Sequence, residues 1–444
     1  MENNPTKAAF LGLDGTPYTL ALDLMERGVM PNLKALLSEG TLRRMDTVMP
    51  EVSSVAWTTF MTGVNPGRHG IFGFMELKPG YEMYFPNFSH MKARTLWDRL
   101  GESGRSSVVI NVPSTYPARP LKGAMTAGFV ALDLKKATYP DSVYQYLSGM
   151  GYRIDVDTVK ARQNVDFLVD DLKLTLARRR EAILHFMDNE PWDLFLGVVT
   201  ETDRLHHYLW DAYADPSHRL HGFFFDYYRE IDSLVGEFAD RLKDRHPGVP
   251  LLIMSDHGFG ALEWQVNINF WLKENGYLKL SKEPAQSWED IGPGTRAFAL
   301  DPSRVYINLK GKYKRGEVGP EEYGQLCDEL ARGLMSIEVD GRKVLKAVYK
   351  KDEIYSGPCM ENAPDLVLLS NPGFDLKGAI SRDVLNEKGF LTGMHTQDDA
   401  MLYIGMTDMP DKAGERKPSI LDVPPTLCRF LAIDGGEMEG TPLV

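Results

Sequence analysis

The stretch Leu251-Leu252-Ile253-Met254-Ser255-Asp256-His257-Gly258 joins a short apolar run to two potential metal ligands. Such a run, bounded by polar residues, is typical of a strand buried on both faces of a parallel sheet. In open α/β sheets, ligands bind at the carboxyl ends of the strands, which is where Asp256 and His257 fall. An adjacent carboxylate and imidazole seldom have a purely structural reason at this position. The stretch therefore predicts a ligand-binding loop within an α/β fold.

Further apolar runs repeat this strand pattern, and amphipathic helical patterns separate them. The runs cover residues 8–13, 107–112, 194–199, 251–254, 365–369 and 400–404. The helical patterns include residues 32–37, 95–100, 165–187, 223–242 and 321–335. Strands that alternate with helices in this way favour a mostly parallel sheet covered by helices. We therefore predict the α/β class, as a three-layer α/β/α sandwich.

The regular alternation is interrupted between residues 260 and 391. Short strand patterns there are separated by the turn-rich Ile291-Gly292-Pro293-Gly294 and by a basic loop at residues 310–315. We expect a core formed by residues 1–259 and 391–444, and an insertion at 260–390 that contributes a smaller cap. Because the run at 365–369 looks like a core strand, the insertion is also expected to add to the central sheet.

The amino-acid composition limits the classes of molecule that the protein is expected to bind. The 444 residues include 50 Lys and Arg against 62 Asp and Glu, which gives a formal charge of −12. This charge disfavours a broad basic surface for nucleic acids or anionic membranes, so no nucleic-acid polymer is expected as a partner. No apolar run approaches the ~20 residues that a membrane-spanning helix needs.

The N-terminal segment and the cysteines favour a cytoplasmic protein. Residues 1–7 are polar and lead straight into the first strand pattern, which leaves no room for the regions of a signal peptide. Cys327, Cys359 and Cys428 are odd in number, far apart and without CxxC spacing. They therefore suggest neither a disulfide framework nor a thiolate zinc site.

Other potential metal ligands follow strand patterns or lie near them. Asp14 follows the run at 8–13, Asp203 follows the run at 194–199, and His395 lies in a later segment. On a helix, His207 would share a face with Asp203 four residues earlier, so both could bind one ion, while His206 would point elsewhere. Each also has a plainer interpretation: a turn or capping residue for Asp14, a solvated pair for Asp203 and His207, and a loop residue for His395.

A nucleophile candidate lies where a proline-led loop enters an amphipathic helix. Residues 49–63 read Met-Pro-Glu-Val-Ser-Ser-Val-Ala-Trp-Thr-Thr-Phe-Met-Thr-Gly. Ser53 falls at the predicted N-terminus of this helix. Free backbone N–H groups and the positive end of the helix dipole there favour a serine alkoxide and a bound phosphate oxygen. The alternative is that Ser53 or Ser54 is an ordinary N-cap.

In this order and over nearly the whole chain, these motifs resemble the type I phosphodiesterase and nucleotide pyrophosphatase family of the alkaline phosphatase superfamily. The matching motifs are Gly12-Leu13-Asp14-Gly15, Ser53 with Ala56-Trp57 and Thr62-Gly63, Asn65-Pro66-Gly67-Arg68-His69-Gly70, Thr202-Asp203-Arg204 with His207, Ser255-Asp256-His257-Gly258, Gly393-Met394-His395, and residues 421–426 and 440–443. The resemblance implies an alkaline phosphatase-like core.

The resemblance also implies two divalent ions, usually zinc, with manganese as the alternative. The implied ligands of the first ion are Asp203, His207 and His395. The implied ligands of the second are Asp14, Asp256 and His257, with Ser53 Oγ as an additional ligand. These are the nitrogen and carboxylate ligands that zinc prefers, and both sets leave positions open for substrate.

The implied reaction is hydrolysis of a small-molecule phosphate ester, more often a diester, through a phosphoserine on Ser53. The backbone N–H of Ser54 is the expected donor to a non-bridging oxygen. Two positions depart from the family's pattern. The nucleophile is often threonine rather than serine. Phe74 stands where nucleotide-cleaving relatives carry an asparagine that contacts the phosphoryl oxygen, which argues against nucleotide pyrophosphatase activity.

The alternatives are a phosphomonoesterase or a phosphomutase or phosphotransferase of the same superfamily, and a non-catalytic relative that binds an anion. A monoesterase would need a cation on the extra phosphate charge, for which Arg68, Arg204 and the loop at 310–315 are candidates. Sulfatase chemistry is disfavoured because the Cys-x-Pro-x-Arg signature is absent. His69 is expected to support the nucleophile helix. Pocket or core roles are open for the aromatic residues Trp57, Phe72, Phe74, Tyr208 and Trp210.

Overall fold

A computed structural model of the chain describes residues 6–406 and 416–444. Residues 1–5, which belong to the polar N-terminal segment considered above, lie outside these ranges. Across the described ranges, no helix combines the length and apolarity needed to cross a membrane. Cys327, Cys359 and Cys428 are all free thiols, as their spacing predicts.

The strands and helices are numbered in chain order. The strands are β1 Ala8–Leu13, β2 Thr41–Met45, β3 Glu76–Leu77, β4 Met83–Tyr84, β5 Ser107–Val112, β6 Gly123–Ala127, β7 Thr138–Tyr139, β8 Leu194–Val199, β9 Leu251–Met254, β10 Gly258–Asn267, β11 Ala297–Leu300, β12 Arg304–Ile307, β13 Glu338–Val339, β14 Arg342–Lys343, β15 Leu345–Lys350, β16 Leu366–Ser370, β17 Gly373–Lys377, β18 Asn386–Glu387, β19 Gly393–Thr396 and β20 Ala400–Ile404. The α-helices are α1 Tyr18–Glu26, α2 Pro31–Leu36, α3 Ser53–Thr62, α4 Pro66–His69, α5 Leu96–Glu102, α6 Asp141–Gly149, α7 Thr158–Ala161, α8 Val165–Asn189, α9 Glu201–Ala214, α10 His221–Arg245, α11 Ile268–Glu274, α12 Pro320–Leu334, α13 Lys351–Ile354 and α14 Val423–Phe430.

An eight-stranded sheet occupies the middle of the molecule, in the order β2-β20-β9-β1-β8-β5-β6-β7. The five strands from β9 to β6 are parallel, as the sequence predicts. The run at 400–404 forms β20, and its prediction as a parallel strand was wrong because β20 is antiparallel to β9. The connection between β9 and β20 explains this direction. β10 directly follows β9, and β19 runs antiparallel to β10, so the chain enters β20 in the direction opposite to that of β9.

Helices cover both faces of this sheet. On one face, Ala9 and Leu11 of β1 pack in a core with side chains from α1, α2, α8 and α10. On the other face, Ala8 and Phe10 pack with side chains from α3, α5 and α14. Alternate residues of β1 point to opposite faces because side chains along a strand have a period of two. The predicted three-layer α/β/α architecture is confirmed.

A second apolar core lies between residues 266 and 376 and centres on an antiparallel sheet of order β11-β12-β16-β15. The run at 365–369, predicted as a core strand, forms β16 and lies in this second sheet instead. Its first four residues are fully or almost fully buried, which gives them the continuous apolar pattern of a central strand. The predicted boundary at 259/260 falls inside β10, which follows β9 and pairs with β17, β18 and β19 in a separate sheet.

A buried ion pair attaches the second sheet to the segment that contains β3. Arg304 of β12 is fully buried and donates to Glu76 Oε1 at 2.6 Å and to the Met75 carbonyl at 2.8 Å. A Cβ on Gly73 would lie 2.4 Å from Arg304 Cζ, so only glycine allows this approach. The segment that carries Phe74 is therefore held in place by a side chain from the insertion.

Candidate active site

Three adjacent strands of the central sheet, β9, β1 and β8, each lead to a carboxylate at the same edge. Asp256 follows β9, Asp14 follows β1, and Asp203 lies in the first turn of α9 after β8. Gly15 donates its N–H to Asp256 Oδ1 at 3.1 Å, and its φ of +63° with Phe259 and His257 close by leaves no room for a side chain. The sheet order therefore brings together three residues that are far apart in sequence.

Helix α9 presents Asp203 and His207 on one face, as their spacing predicts. The His207 Nε2 atom lies 3.4 Å from Asp203 Oδ1. The adjacent His206 points away from this pair and is fully buried, with Nδ1 3.0 Å from the Gly15 carbonyl and Nε2 2.7 Å from Tyr228 Oη. Burial lowers the pKa of His206 to about 3, so it serves as a neutral link between α9, β1 and α10.

His395 lies on a strand and not in a loop. It belongs to β19, where it pairs with Phe259 of β10. Its Nδ1 donates to the Glu51 carbonyl at 2.7 Å, and its Nε2 lies 3.2 Å from Asp203 Oδ1 and 3.0 Å from His207 Nε2. Pairing of β19 with β10 therefore brings a histidine from late in the chain to the carboxylates of the central sheet.

The candidate ligands form two clusters, Asp203 with His207 and His395, and Asp14 with Asp256 and His257. In each cluster, one nitrogen or oxygen from every residue lies within 4.8 Å of the others. The nearest measured pairs are 3.0 to 3.6 Å apart. Four ligands around zinc at 2.0–2.1 Å are separated by about 3.4 Å in a tetrahedron, so both clusters have the dimensions of such a site.

The three histidines of the clusters are oriented in the same way. Each Nδ1 faces a backbone carbonyl, of Glu51 for His395 at 2.7 Å, of Gly258 for His257 at 3.1 Å and of Gly393 for His207 at 3.3 Å. A proton on Nδ1 leaves Nε2 as an acceptor that faces the carboxylates. Metal-bound histidines in proteins use this arrangement to fix the ring and the tautomer.

Each carboxylate of the second cluster has one oxygen that receives no hydrogen bond from the described residues. Asp14 Oδ1 and Asp256 Oδ2 are buried and have no hydrogen-bond partner among the described residues. Burial, followed by the charges of Asp256 and Asp203, raises the pKa of Asp14 well above its usual value, and burial raises the pKa of Asp256 to about 7. Unpaired buried carboxylates are costly, and a divalent cation between them would remove this cost. The residues present therefore fit a metal ion.

Ser53 is the first residue of α3, and the cap position is taken by Val52, which has no capping side chain. The interpretation of Ser53 or Ser54 as an ordinary N-cap is therefore wrong. Ser53 Oγ lies 3.2 Å from His257 Nε2. One turn further along, Trp57 donates from Nε1 to Asp14 Oδ2 at 2.9 Å, which ties the helix to β1. His69, as predicted, supports this helix, with Nε2 3.0 Å from Thr59 Oγ1.

A cavity of about 460 Å³ opens at the cluster of Asp203, His207 and His395. Two of the aromatic residues considered for a pocket, Phe74 and Tyr208, line it, while Trp57 and Phe72 are buried in the cores. Three further aromatic residues line the cavity and were not predicted from the sequence, namely Phe85, Phe129 and Phe374. Of the basic residues considered for binding phosphate, Arg204 lines the cavity, whereas Arg68 contacts Glu439 elsewhere.

A sequence profile of type I phosphodiesterases and nucleotide pyrophosphatases matches residues 8–398. The chain belongs to this family. The type I phosphodiesterase family is part of the alkaline phosphatase superfamily, and the chain is accordingly a phosphoester hydrolase. The resemblance stated from the motifs is confirmed. No curated protein matches the chain in sequence.

Solved structures share the fold of this family member over almost its full length. Phosphonoacetate hydrolase from Sinorhizobium meliloti 1021, with phosphonoacetate bound, has a TM-score of 0.64 and 16% identity, and the match covers 97% of this chain and 96% of the other. Human ectonucleotide pyrophosphatase/phosphodiesterase 5 has a TM-score of 0.59 and 16% identity, with 98% and 97% covered. The inactive murine counterpart in complex with AMP has a TM-score of 0.58 and 14% identity, with 98% and 97% covered. At these identities the similarity shows the fold alone.

In this member of the phosphodiesterase family, Arg204 forms hydrogen bonds to both Asp203 and Asp155, and the local sequence gives no signal for the contact with Asp155. Arg204 donates to Asp203 Oδ2 at 2.7 Å and holds Asp155 through Nε at 3.1 Å and Nη2 at 2.7 Å. Its guanidinium also lies 4.5 Å from the centre of the Phe129 ring. Because Arg204 occupies Oδ2 of Asp203, the other oxygen, Oδ1, faces His207 and His395. Asp155 and Arg204 thus orient a candidate metal ligand.

We expect Arg204→Lys to weaken metal binding by about tenfold or more, because lysine keeps the charge but cannot bridge two carboxylates with a planar fork. Asp155→Asn should have a similar effect, since it removes half of the ion pair that holds Arg204. Metal affinity can be measured by competition with a chromogenic chelator. The matched control is Arg219→Lys, in an exposed ion pair with Asp166. Unchanged affinity in both Arg204→Lys and Asp155→Asn would contradict the orienting role.

Proposed function

We propose that this phosphoester hydrolase cleaves phosphodiesters with two divalent ions and a covalent phosphoserine on Ser53. The observation that carries the proposal is the position of Ser53 Oγ, 3.2 Å from His257 Nε2 at the N-terminus of α3. A hydroxyl at a helix N-terminus, beside two clusters of nitrogen and carboxylate ligands, is placed to act as a nucleophile toward an anionic phosphate.

The proposed ligands of one ion are Asp203, His207 and His395. The proposed ligands of the other are Asp14, Asp256 and His257, with Ser53 Oγ as an additional ligand. When bound, the ions would lower the pKa of the nucleophile and stabilise negative charge on the departing oxygen. Carboxylate and imidazole ligands suit zinc best and also accept manganese.

In the proposed reaction, deprotonated Ser53 Oγ forms a bond to phosphorus as the bond to the leaving oxygen breaks. The leaving group departs as an alcohol once it gains a proton, and the other ester group stays on the phosphoserine. Water then attacks phosphorus, which releases a phosphomonoester and returns the oxygen to Ser53. The N–H groups of Ser53 and Ser54 in the first turn of α3 have no acceptor within the helix, so they can donate to a non-bridging oxygen.

The aromatic lining of the cavity supports a diester over a monoester. Arg204 donates hydrogen bonds from its guanidinium to the carboxylates of Asp155 and Asp203. Lys377, which also lines the cavity, pairs with Asp375 at 2.7 Å. Of the three cations that line the cavity, Arg204 and Lys377 are therefore already paired with carboxylates, while Arg162 contacts the Phe390 ring. An uncharged ester group suits the aromatic residues of the lining.

We also propose that residues 260–390 act as a cap over the catalytic core, with its boundary within β10. Phe374 and Leu376 of β17 line the cavity, as do Asp301 and Ser303 from the second sheet's β11–β12 turn. The same segment fixes Phe74 through Arg304 and Glu76. The insertion would thus shape the part of the cavity that receives the ester groups.

Metal-stripped enzyme reconstituted with zinc or manganese tests this function on bis(p-nitrophenyl) phosphate and p-nitrophenyl phosphate. We expect the diester to be hydrolysed faster, and turnover to need the added ion. Faster monoester turnover would favour a phosphomonoesterase. A requirement for an added alcohol as acceptor would instead favour a phosphotransferase or mutase. Bound metal without turnover of either substrate would favour a non-catalytic relative that binds an anion.

A further inference from the structure

A fully buried ion pair lies beside the segment that carries Asp203. Arg179 of α8 and Glu201, the first residue of α9, have side chains that are 0% and 1% exposed. The guanidinium donates to Glu201 Oε1 from Nε at 3.2 Å and from Nη2 at 3.0 Å. Glu201 also suits the first turn of a helix, where a carboxylate interacts favourably with the helix dipole. Arg179 therefore has a fixed partner at the start of α9.

Arg179 also holds a loop that reaches α9. Its Nη2 donates to the Ile154 carbonyl at 2.7 Å, directly before Asp155. Asp171, which lies earlier on α8 and is 3% exposed, accepts the Asp157 N–H at 2.7 Å, on the other side of Asp155. Helix α8 therefore fixes the backbone on both sides of Asp155.

Both segments that Arg179 joins lead to the same candidate metal ligand. Glu201 lies two residues before Asp203 in the first turn of α9. Asp155 reaches Asp203 through Arg204, which donates to both carboxylates. The orientation of the Asp203 carboxylate thus depends on two segments whose relative position Arg179 fixes.

A purely stabilising role does not account for this buried pair. Removing two charges from water is costly, and an apolar pair of similar size often stabilises a fold equally well or better. The guanidinium has a property that an apolar side chain lacks, because its planar fork donates in two directions at once. Here it donates to the Glu201 side chain of α9 and to the backbone of the loop. The contacts of Arg179 therefore fix the geometry between two segments.

We propose that Arg179 and Glu201 are positioning residues for the first cluster, because they hold the loop at 151–157 against the start of α9 and so preset the orientation of Asp203. This inference rests on the proposed function, in which the first cluster holds one of the two ions. Without the pair, the loop and α9 would shift relative to each other, and the first cluster would bind metal less tightly. The second cluster follows β1 and β9 and would keep its affinity.

The two clusters can be measured one at a time. His257→Ala removes a proposed ligand of the second cluster and His395→Ala one of the first, so each leaves one cluster able to bind zinc. In the His257→Ala background, Arg179→Lys should weaken zinc binding by about tenfold or more, since hydrogen-bond partners of metal ligands contribute that much to affinity. In the His395→Ala background, Arg179→Lys should leave the Kd for zinc unchanged. Competition with a chromogenic chelator measures both values.

A double apolar variant separates geometry from stability. Arg179→Met combined with Glu201→Leu removes both charges, and the Tm of the metal-free protein should stay close to that of the wild type or rise. The first cluster should nevertheless lose affinity as it does in Arg179→Lys. The matched control is Arg180→Lys, at the next residue of α8, which pairs with Glu230 and Glu237 of α10. This control should bind zinc as the wild type does.

Wild-type affinity of the first cluster in both Arg179→Lys and the double variant would overturn the inference and leave the proposed ligand set intact. Failure of the double variant to fold, or equal weakening of both clusters, would show a merely structural pair and would also overturn it. If His395→Ala still binds two ions, the proposed ligand set itself is wrong, and the inference falls with it.

Discussion

Replacing Ser53 by alanine is expected to lower kcat/KM for bis(p-nitrophenyl) phosphate by about ten-thousandfold or more, because no other hydroxyl takes its place as nucleophile. Ser53 Oγ is the group that faces His257 Nε2, whereas Ser54 Oγ, in the next position of α3, is buried and has no hydrogen-bond partner among residues 6–406 and 416–444. The decrease should appear in kcat, and the metal content should stay close to that of the wild type. Steady-state kinetics and metal analysis on the same samples measure both.

Ser53→Thr is the matched control for this prediction, since threonine keeps a hydroxyl at the same carbon. It should recover much of the activity lost in Ser53→Ala. Acid quenching of wild-type enzyme during turnover should also trap a phosphorylated peptide that contains Ser53, visible by mass spectrometry. Substantial turnover by Ser53→Ala, at wild-type metal content, would show that water attacks the phosphate directly.

Removing one imidazole from a cluster is expected to change the metal content itself. His257→Ala deletes a nitrogen that lies 3.6 Å from Asp14 Oδ1 and 3.5 Å from Asp256 Oδ2. We expect bound metal to fall from about two ions per chain to about one, and activity to fall on the order of a thousandfold. Elemental analysis after equilibrium dialysis measures the first quantity.

The same variant tests the link between metal and stability. When the free metal concentration is a thousand times the Kd, each ion bound to the wild type would raise the free energy of unfolding by about 4 kcal/mol. Chelation should therefore lower the Tm of the wild type more than that of His257→Ala. His90→Ala, at an exposed histidine, is the control and should retain both ions. Two ions bound to His257→Ala would remove His257 from the ligand set.

The candidate site was predictable because its residues occupy regular positions. Asp14 and Asp256 follow apolar strands, Asp203 and His207 have helical spacing, and Ser53 starts a helix between a proline-led loop and a terminal glycine. Local sequence patterns of this kind predict strand ends and helix faces, and the candidate residues lie at such positions in the structure.

What could not be predicted depends on pairing between distant segments. The strand β16 has the apolar pattern of a central strand, and only its partners β12 and β15 place it in the second sheet. The contact of Asp155 with Arg204 joins residues that are 49 positions apart and has no spacing rule. The lining residues Phe85, Phe129 and Phe374 come from three separate loops and strands, so the cavity exists only once β17 lies beside the segments that carry Phe85 and Phe129.

The position of His395 sets a limit on when the proposed ligand set of the first cluster is complete during synthesis. Asp14 is made long before His395 and the neighbouring β20, which lies between β2 and β9. At 5–20 residues per second, roughly 20 to 80 s separate the two. Until then, the nascent chain exposes an unpaired edge of β9 and an incomplete ligand set. If the proposed ligands hold an ion, the first cluster is complete only after His395 has been made.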